Sequence, residues 1–213
     1  TMGALESRFI RLKKGTLNLD LSEQNMATCH GFQAGINDGG SDFIAAAYLT
    51  RLSGPVAEAS DPFDYDINAT CGPGPFVIPA YTPRAVWLPK DIKIIKKVIK
   101  DFGAVTSSIH IADYTKYYNP TDFTFNYNGV AVVDHGVLIV GWDDSLIVTG
   151  GVSSPKPASK GAWIVKNSWG TTFGENGFFY VSYQDTKFLS SVSYFPEVEE
   201  KTEIDTLYMN DWL

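Results

Sequence analysis

The chain has 213 residues, 44% of them hydrophobic, 14% aromatic and only 19% charged, enough apolar material for one sizeable core or two small packed lobes and too much for wholesale disorder. A formal net charge of -7 argues against a nucleic-acid partner, whose phosphates need a basic face, and against docking on anionic lipid. No apolar run reaches the roughly 18 residues of a membrane helix, and the first residues lack the basic start and apolar run of a signal peptide.

Met2, Leu5, Phe9 and Leu12 recur at helical spacing, and Gly15 after Lys13 and Lys14 reads as a C-cap. Thr1 is the sole N-cap candidate and has no acidic partner three residues on, so this helix is expected to start upstream of the chain. Ser22 predicts a cap for a second helix over 23–29, ended by Gly31. Asp38 to Ser41 reads as a tight turn, after which Ser41 or Asp42 caps a third helix through Phe43, Ala46, Ala47 and Leu49. From Gly54 to Pro89, prolines 55, 62, 73, 75, 79, 83 and 89 predict a loop. Asp91 opens an amphipathic helix, with Ile92, Ile95, Val98, Ile99 and Phe102 on one side. Its lysines, 93, 96, 97 and 100, read as a solvated face rather than a basic patch.

After Gly103 the period changes to two. Segments 105–111, 130–142, 162–169, 178–183 and 191–195 predict strands, with a surface loop over 150–160. Helices first and strands second indicate an α+β protein of two lobes with a cleft between them. The expected division is a helical lobe over 1–103, incomplete at its N-terminus, and a β lobe over 104–195. Residues 196–213 then form a tail or a linker to a further domain. No internal repeat is present.

Three histidines can carry chemistry. His30 follows Cys29 at a helix end and His110 lies in a strand alternation; both read as structural. His135 heads an apolar strand in Asp134-His135-Gly136, leading to Val140-Gly141-Trp142. Downstream come Lys166-Asn167-Ser168-Trp169-Gly170 and Gly174-Glu175-Asn176-Gly177-Phe178. Together with Leu21-Ser22-Glu23-Gln24-Asn25 and Gly39-Gly40 in the same order, these segments closely resemble the papain-like cysteine peptidases. The likeness runs from about Ala4 to about Phe195. The Met-Gly-Ala-Leu-Glu-Ser opening and the Gly-Trp-Asp-Asp run look most like secreted bacterial or archaeal members.

The resemblance implies a two-lobed fold, a helical lobe plus an antiparallel β-barrel lobe. It also implies a cysteine endopeptidase of peptide or protein substrates that needs no cofactor and no metal. Such chemistry needs a thiolate that attacks the peptide carbonyl and an imidazolium that later protonates the leaving amine. By resemblance, His135 is that base and acid, Asn167 accepts its ring N–H, and Trp169 packs over the pair. Gly39 and Gly40 would let substrate backbone approach a turn. Asp134 would sit beside the thiolate–imidazolium pair, with plain strand-end solvation as its alternative. The family's nucleophile, in a Cys-Trp-Ala-Phe stretch, projects to roughly five residues before Thr1. An upstream segment of the same polypeptide is therefore expected to supply it. The rival reading is a peptidase-like module that has lost its nucleophile and binds peptides or surfaces.

Cys29 lies near a helix end, where the macrodipole disfavours a thiolate, and Cys71 lies in the Pro/Gly loop. The family places one disulfide pair at these two points; the alternative is two buried free thiols. A Cys29–Cys71 bridge would imply an oxidising compartment, hence a secreted or cell-surface location. Phe173 stands where the family usually has a tryptophan. Ile204, Leu207, Tyr208 and Trp212 reappear at the end as if leading into another domain. Asp64-Tyr65-Asp66-Ile67-Asn68 imitates a calcium loop, but Ala69 replaces its glycine and Pro75 its bidentate acid. Asn68-Ala69-Thr70 is a glycosylation sequon, and Asp143-Asp144 reads as turn solvation rather than an acid pair.

Overall fold

A computed structural model describes residues 1–12, 19–36 and 38–200. The Gly15 cap and the apolar residues from Ile204 to Trp212 lie outside the described residues. The helices are α1 (Met2–Leu12), α2 (Glu23–Thr28), α3 (Asp42–Thr50), α4 (Ile92–Phe102) and α5 (Tyr114–Tyr117). The strands are β1 (Ala80–Tyr81), β2 (Val86–Trp87), β3 (Val105–Ile109), β4 (Tyr118–Asn119), β5 (Thr124–Phe125), β6 (His135–Asp143), β7 (Ala162–Lys166), β8 (Phe178–Ser182), β9 (Val192–Tyr194) and β10 (Glu199–Glu200). The class is α+β. The chain divides into two compact units, Thr1–Val86 together with the residues from Phe195 onward, and Trp87–Tyr194.

In the first unit the helix starts are set by side-chain caps. Ser22 Oγ accepts the Asn25 N–H at 2.9 Å, and Ser41 Oγ accepts the Ile44 N–H at 3.4 Å, each satisfying a donor the helix cannot. Helix α1 buries Met2, Ala4, Leu5 and Phe9. Asn25, a buried residue of α2, donates to Asp61 Oδ2 at 2.9 Å and accepts from the Tyr48 hydroxyl at 2.5 Å. Burial and the nearby Asp61 charge push the Tyr48 phenol well above its ordinary pKa, which keeps it a donor. Cys29 and Cys71 form a disulfide with Cα atoms 4.7 Å apart.

Residues 196–200, expected to begin a tail, instead return to this unit. β10 pairs antiparallel with β1, Ala80 opposite Glu200 and Tyr81 opposite Glu199. The Pro196 carbonyl accepts from Arg8 Nε at 2.9 Å, and the Glu197 carbonyl from Thr82 Oγ1 at 2.5 Å. A two-residue pairing has no periodicity for a sequence to display, and its partner lies more than a hundred positions away.

The second unit is built on an eight-stranded sheet in the order β2-β9-β3-β6-β7-β8-β5-β4. Pairs β3–β9, β3–β6, β6–β7, β7–β8 and β4–β5 are antiparallel, whereas β5–β8 is parallel. Asp91 caps α4 by accepting the Lys93 and Ile94 N–H groups at 2.8 and 3.0 Å. The apolar side of α4, with Ile95, Val98 and Ile99, belongs to the same core as Val105, Ile139, Trp163 and Val181. Each such fully buried aliphatic side chain contributes about 1.5–3 kcal/mol. So α4 belongs with the strands, and the division falls between Val86 and Trp87 rather than at Gly103. Amphipathicity tells that a helix has a partner, not which one. β6 begins at His135, so residues 130–134, expected as strand, form no ladder.

Candidate active site

The positions of His135 and Asn167 follow from strand register within the second unit. His135 is the first residue of β6 and faces Ile109 of β3. β7 runs antiparallel beside β6, with Leu138 opposite Lys166, the last residue of β7. Asn167 therefore leaves β7 at the end of the sheet where β6 starts. The side chains meet there, with His135 Nε2 and Asn167 Oδ1 2.8 Å apart.

The donor and acceptor roles are determined by a second bond. Asn167 Oδ1 also accepts the Ser168 backbone N–H at 2.8 Å, so this atom is the amide oxygen and His135 Nε2 must carry the proton. The Asn167 backbone N–H donates to Gly177 O at 3.0 Å, tying the residue to the turn before β8. In that turn Gly174 has φ +58°, and a Cβ there would lie 2.0 Å from Phe178 O, which leaves room for glycine alone. Asn167 is 7% exposed, and among the described residues its Nδ2 has no hydrogen-bond partner.

Trp169 lies with its ring centroid 5.4 Å from that of His135 at an interplanar angle of 43°. Tyr114 and Phe173 meet Trp169 edge-on at 5.2 and 4.9 Å, and Phe173 stacks on Tyr118 at 5.2 Å. Trp169 thus joins the His135 ring to a cluster of aromatic side chains. Tyr114 and Tyr118 escaped the sequence reading, because the short α5–β4 segment has no period of its own.

Asp134 is engaged with protein groups. Its Oδ1 accepts the Ile111 N–H at 2.7 Å and its Oδ2 the Ala112 N–H at 3.1 Å. Nδ1 of the buried His110 stands 2.9 Å from Asp134 Oδ2 and 2.8 Å from Val132 O. Nearby, the Lys116 ammonium at 2.8 Å holds the exposed Asp113 carboxyl below its ordinary range. Gly39 and Gly40 belong to the first unit, in the exposed turn before Ser41. Gly39 has φ +79°, and nothing lies within 4 Å of a Cβ built on either residue. Asp64 and Asp66 cap the backbone N–H groups of Asp66 and Asn68 at 2.9 Å. No helix among the described residues is long and apolar enough to cross a membrane.

The model of the papain family of cysteine proteases matches residues 1–195, and the chain belongs to that family. Among curated proteins, a cathepsin L-like peptidase of Aedes aegypti is 33% identical over 186 residues, 83% of this chain and 49% of its own length. Cathepsin S of Bos taurus is 28% identical over 190 residues, 83% of this chain and half of its own. The chain thus spans about half the length of the curated relatives it matches. A solved structure of the cysteine protease and lectin-like domains of Cwp84, a surface layer associated protein of Clostridium difficile, superposes with a TM-score of 0.85 at 30% identity. It covers 95% of this chain and 46% of that one. Procathepsin L2 from the Tenebrio molitor larval midgut superposes at 0.71 with 23% identity, over 92% of this chain and 59% of its own, which is a likeness of fold.

Proposed function

We propose that the chain carries the base and orienting part of a cysteine endopeptidase site, with His135 as base and acid and Asn167 as its orienting partner. The observation that carries this reading is the 2.8 Å bond from His135 Nε2 to an Asn167 oxygen whose identity Ser168 fixes. That bond directs Nδ1 to the reaction. A cysteine thiol gives its proton to Nδ1, and the thiolate adds to the peptide carbonyl. Nδ1–H then protonates the departing amine as the C–N bond breaks, leaving a thioester. Water, losing a proton to Nδ1, hydrolyses the thioester and frees the thiol.

The chain's two cysteines are joined to each other, so in this reading neither serves as the nucleophile. The proposed source is an upstream segment of the same polypeptide. Gly39 and Gly40 are proposed to hydrogen-bond substrate backbone, for which their bare, open turn leaves room. Trp169 is proposed to shield the His135–Asn167 bond, and Asp134 to border the reacting pair. The Cys29–Cys71 bridge supports a secreted or cell-surface location, as does the surface-layer association of Cwp84.

The test is turnover of a fluorogenic peptide by the parent polypeptide. Activity that vanishes on thiol alkylation and in His135→Ala is expected, whereas near-normal activity of His135→Ala overturns the assignment. The 213 residues alone are expected to show no thiol-dependent turnover. The bridged state of both cysteines also favours a second reading, a peptide-binding module, which a Ser or Gly at the nucleophile position of the parent would select.

A further inference from the structure

We propose that His110 is a positioning residue for His135, its Nδ1–H clamping the end of β3 to the segment that leads into β6 through the Val132 carbonyl, with the Asp134 carboxylate beside it. The imidazole of His110 is buried, at 6% exposure, and Nδ1 has two neighbours, Val132 O at 2.8 Å and Asp134 Oδ2 at 2.9 Å. The hydrogen bond of Nδ1 is to Val132 O, an acceptor only, so Nδ1 is the donor, and the Asp134 carboxylate lies within ion-pair distance of the same nitrogen. The other groups against the ring are Tyr127, its centroid 4.6 Å away, and Asp113, whose Oδ2 is 3.9 Å from Nε2 and is paired with Lys116. Nε2 is buried and, among the described residues, has no hydrogen-bond partner. An apolar side chain of the same volume would remove that penalty, and with it the donor to Val132 O.

What the clamp holds is the residue preceding His135. The Asp134 N–H donates to Ile109 O at 3.1 Å, while its carboxylate takes the N–H groups of Ile111 and Ala112. Ile109 is the register partner of His135. Residues 130–134 form no ladder, so the start of β6 would fray like any strand end if these side-chain bonds were absent. A catalytic ring must be held within about 0.5 Å of its working position, and its rotamer depends on the backbone that carries it. His110 acts on His135 through the Val132–Asp134 segment.

The inference rests on the proposed role of His135 only where turnover is the readout, so the experiment has a second one. NMR of the histidine-labelled chain measures exchange of the His135 Nε2 proton, which the bond to Asn167 protects. His110→Phe, which keeps the ring volume and removes the donor, is expected to speed that exchange by about tenfold. His110→Asn, whose side-chain amide reaches where Nδ1 does, is expected to stay within about twofold of the parent protein. Asp134→Asn, which weakens the clamp from the other side, should resemble the Phe variant and serves if that variant does not fold. In the active parent polypeptide, His110→Phe is expected to lower kcat about tenfold with KM within about twofold. Exchange and kcat unchanged in His110→Phe, or His110→Asn as impaired as His110→Phe, overturn the proposal. So does a lower melting temperature with unaltered His135 exchange, which would assign His110 to packing alone. A parent without turnover whose His135 exchange still rises in His110→Phe refutes the peptidase reading and upholds the clamp.

Discussion

The Asn167 side-chain oxygen receives the His135 ring N–H at 2.8 Å while also holding the backbone N–H of Ser168, the next residue in the chain. The second bond prevents the amide from rotating, so the imidazole is offered an acceptor at one angle and in one tautomer. Within the parent polypeptide, Asn167→Ala is therefore expected to lower kcat by about tenfold to a hundredfold with little change in KM. Asn167→Asp places a negative charge against the ring and favours imidazolium. The basic limb of the pH–rate profile should then move up by about one unit. Steady-state kinetics across pH checks both; an unchanged profile in Asn167→Asp would show that the ring does not set that limb.

Trp169 joins His135 to Tyr114 and Phe173. Removing the indole opens one side of the His135–Asn167 bond to water and deletes three ring contacts of about 0.5–1.5 kcal/mol each. Trp169→Ala is expected to lower kcat several-fold, and Trp169→Phe to recover most of it. Ring-proton exchange at His135 should rise in the same order.

Asp185 gives the second unit a pH dependence of its own. It is 2% exposed and accepts the N–H groups of Tyr127, Lys187 and Phe188 at 2.8, 2.9 and 2.8 Å. Burial raises its carboxyl above the ordinary value of 3.8, and the three donors and Lys90 only partly oppose that. As pH rises from about 3.8 towards the native value, the unfolded chain loses this proton while the folded chain keeps it. The contribution of Asp185 is thus greatest below that window, falls across it, and is level above. Asp185→Asn leaves the Tyr127 N–H without its acceptor, at a cost of about 1–3 kcal/mol. Denaturant titrations should find this variant's deficit smaller above the window than below it. A deficit that grows with pH would contradict the sign.

The Cys29–Cys71 bridge spans a separation of 42 residues, so its loss frees the unfolded chain by roughly 4 kcal/mol. Reduction, or Cys71→Ser, is expected to lower the urea midpoint accordingly. Two titratable thiols in the untreated protein would refute the bridge.

Local signals carried much of the fold. Ser22, Ser41 and Asp91 cap α2, α3 and α4 because a cap is decided within three residues of chain. The alternating runs around 105, 162 and 178 became β3, β7 and β8 because sheet side chains alternate by geometry. By contrast, β4, β5 and β10 are two residues each, too short to show a period, and β5 and β10 are held by distant partners.

The proposed base and its partner stood out for a different reason. His135 and Asn167 sit in runs, Asp134 to Trp142 and Lys166 to Gly177, whose residue types resemble a known family closely enough to assign roles. Sequence alone also set the charge, the absence of a long apolar run, and the restriction to two cysteines. The tertiary structure decided which atoms meet. A register of Leu138 against Lys166 brings Asn167 to His135, and Ser168 then selects the amide oxygen. It also turned His110, read as an ordinary strand histidine, towards Asp134. Hydrogen bonds of 2.8 Å between residues 22 to 32 positions apart depend on the path of the backbone between them, and no local pattern of side chains encodes that path.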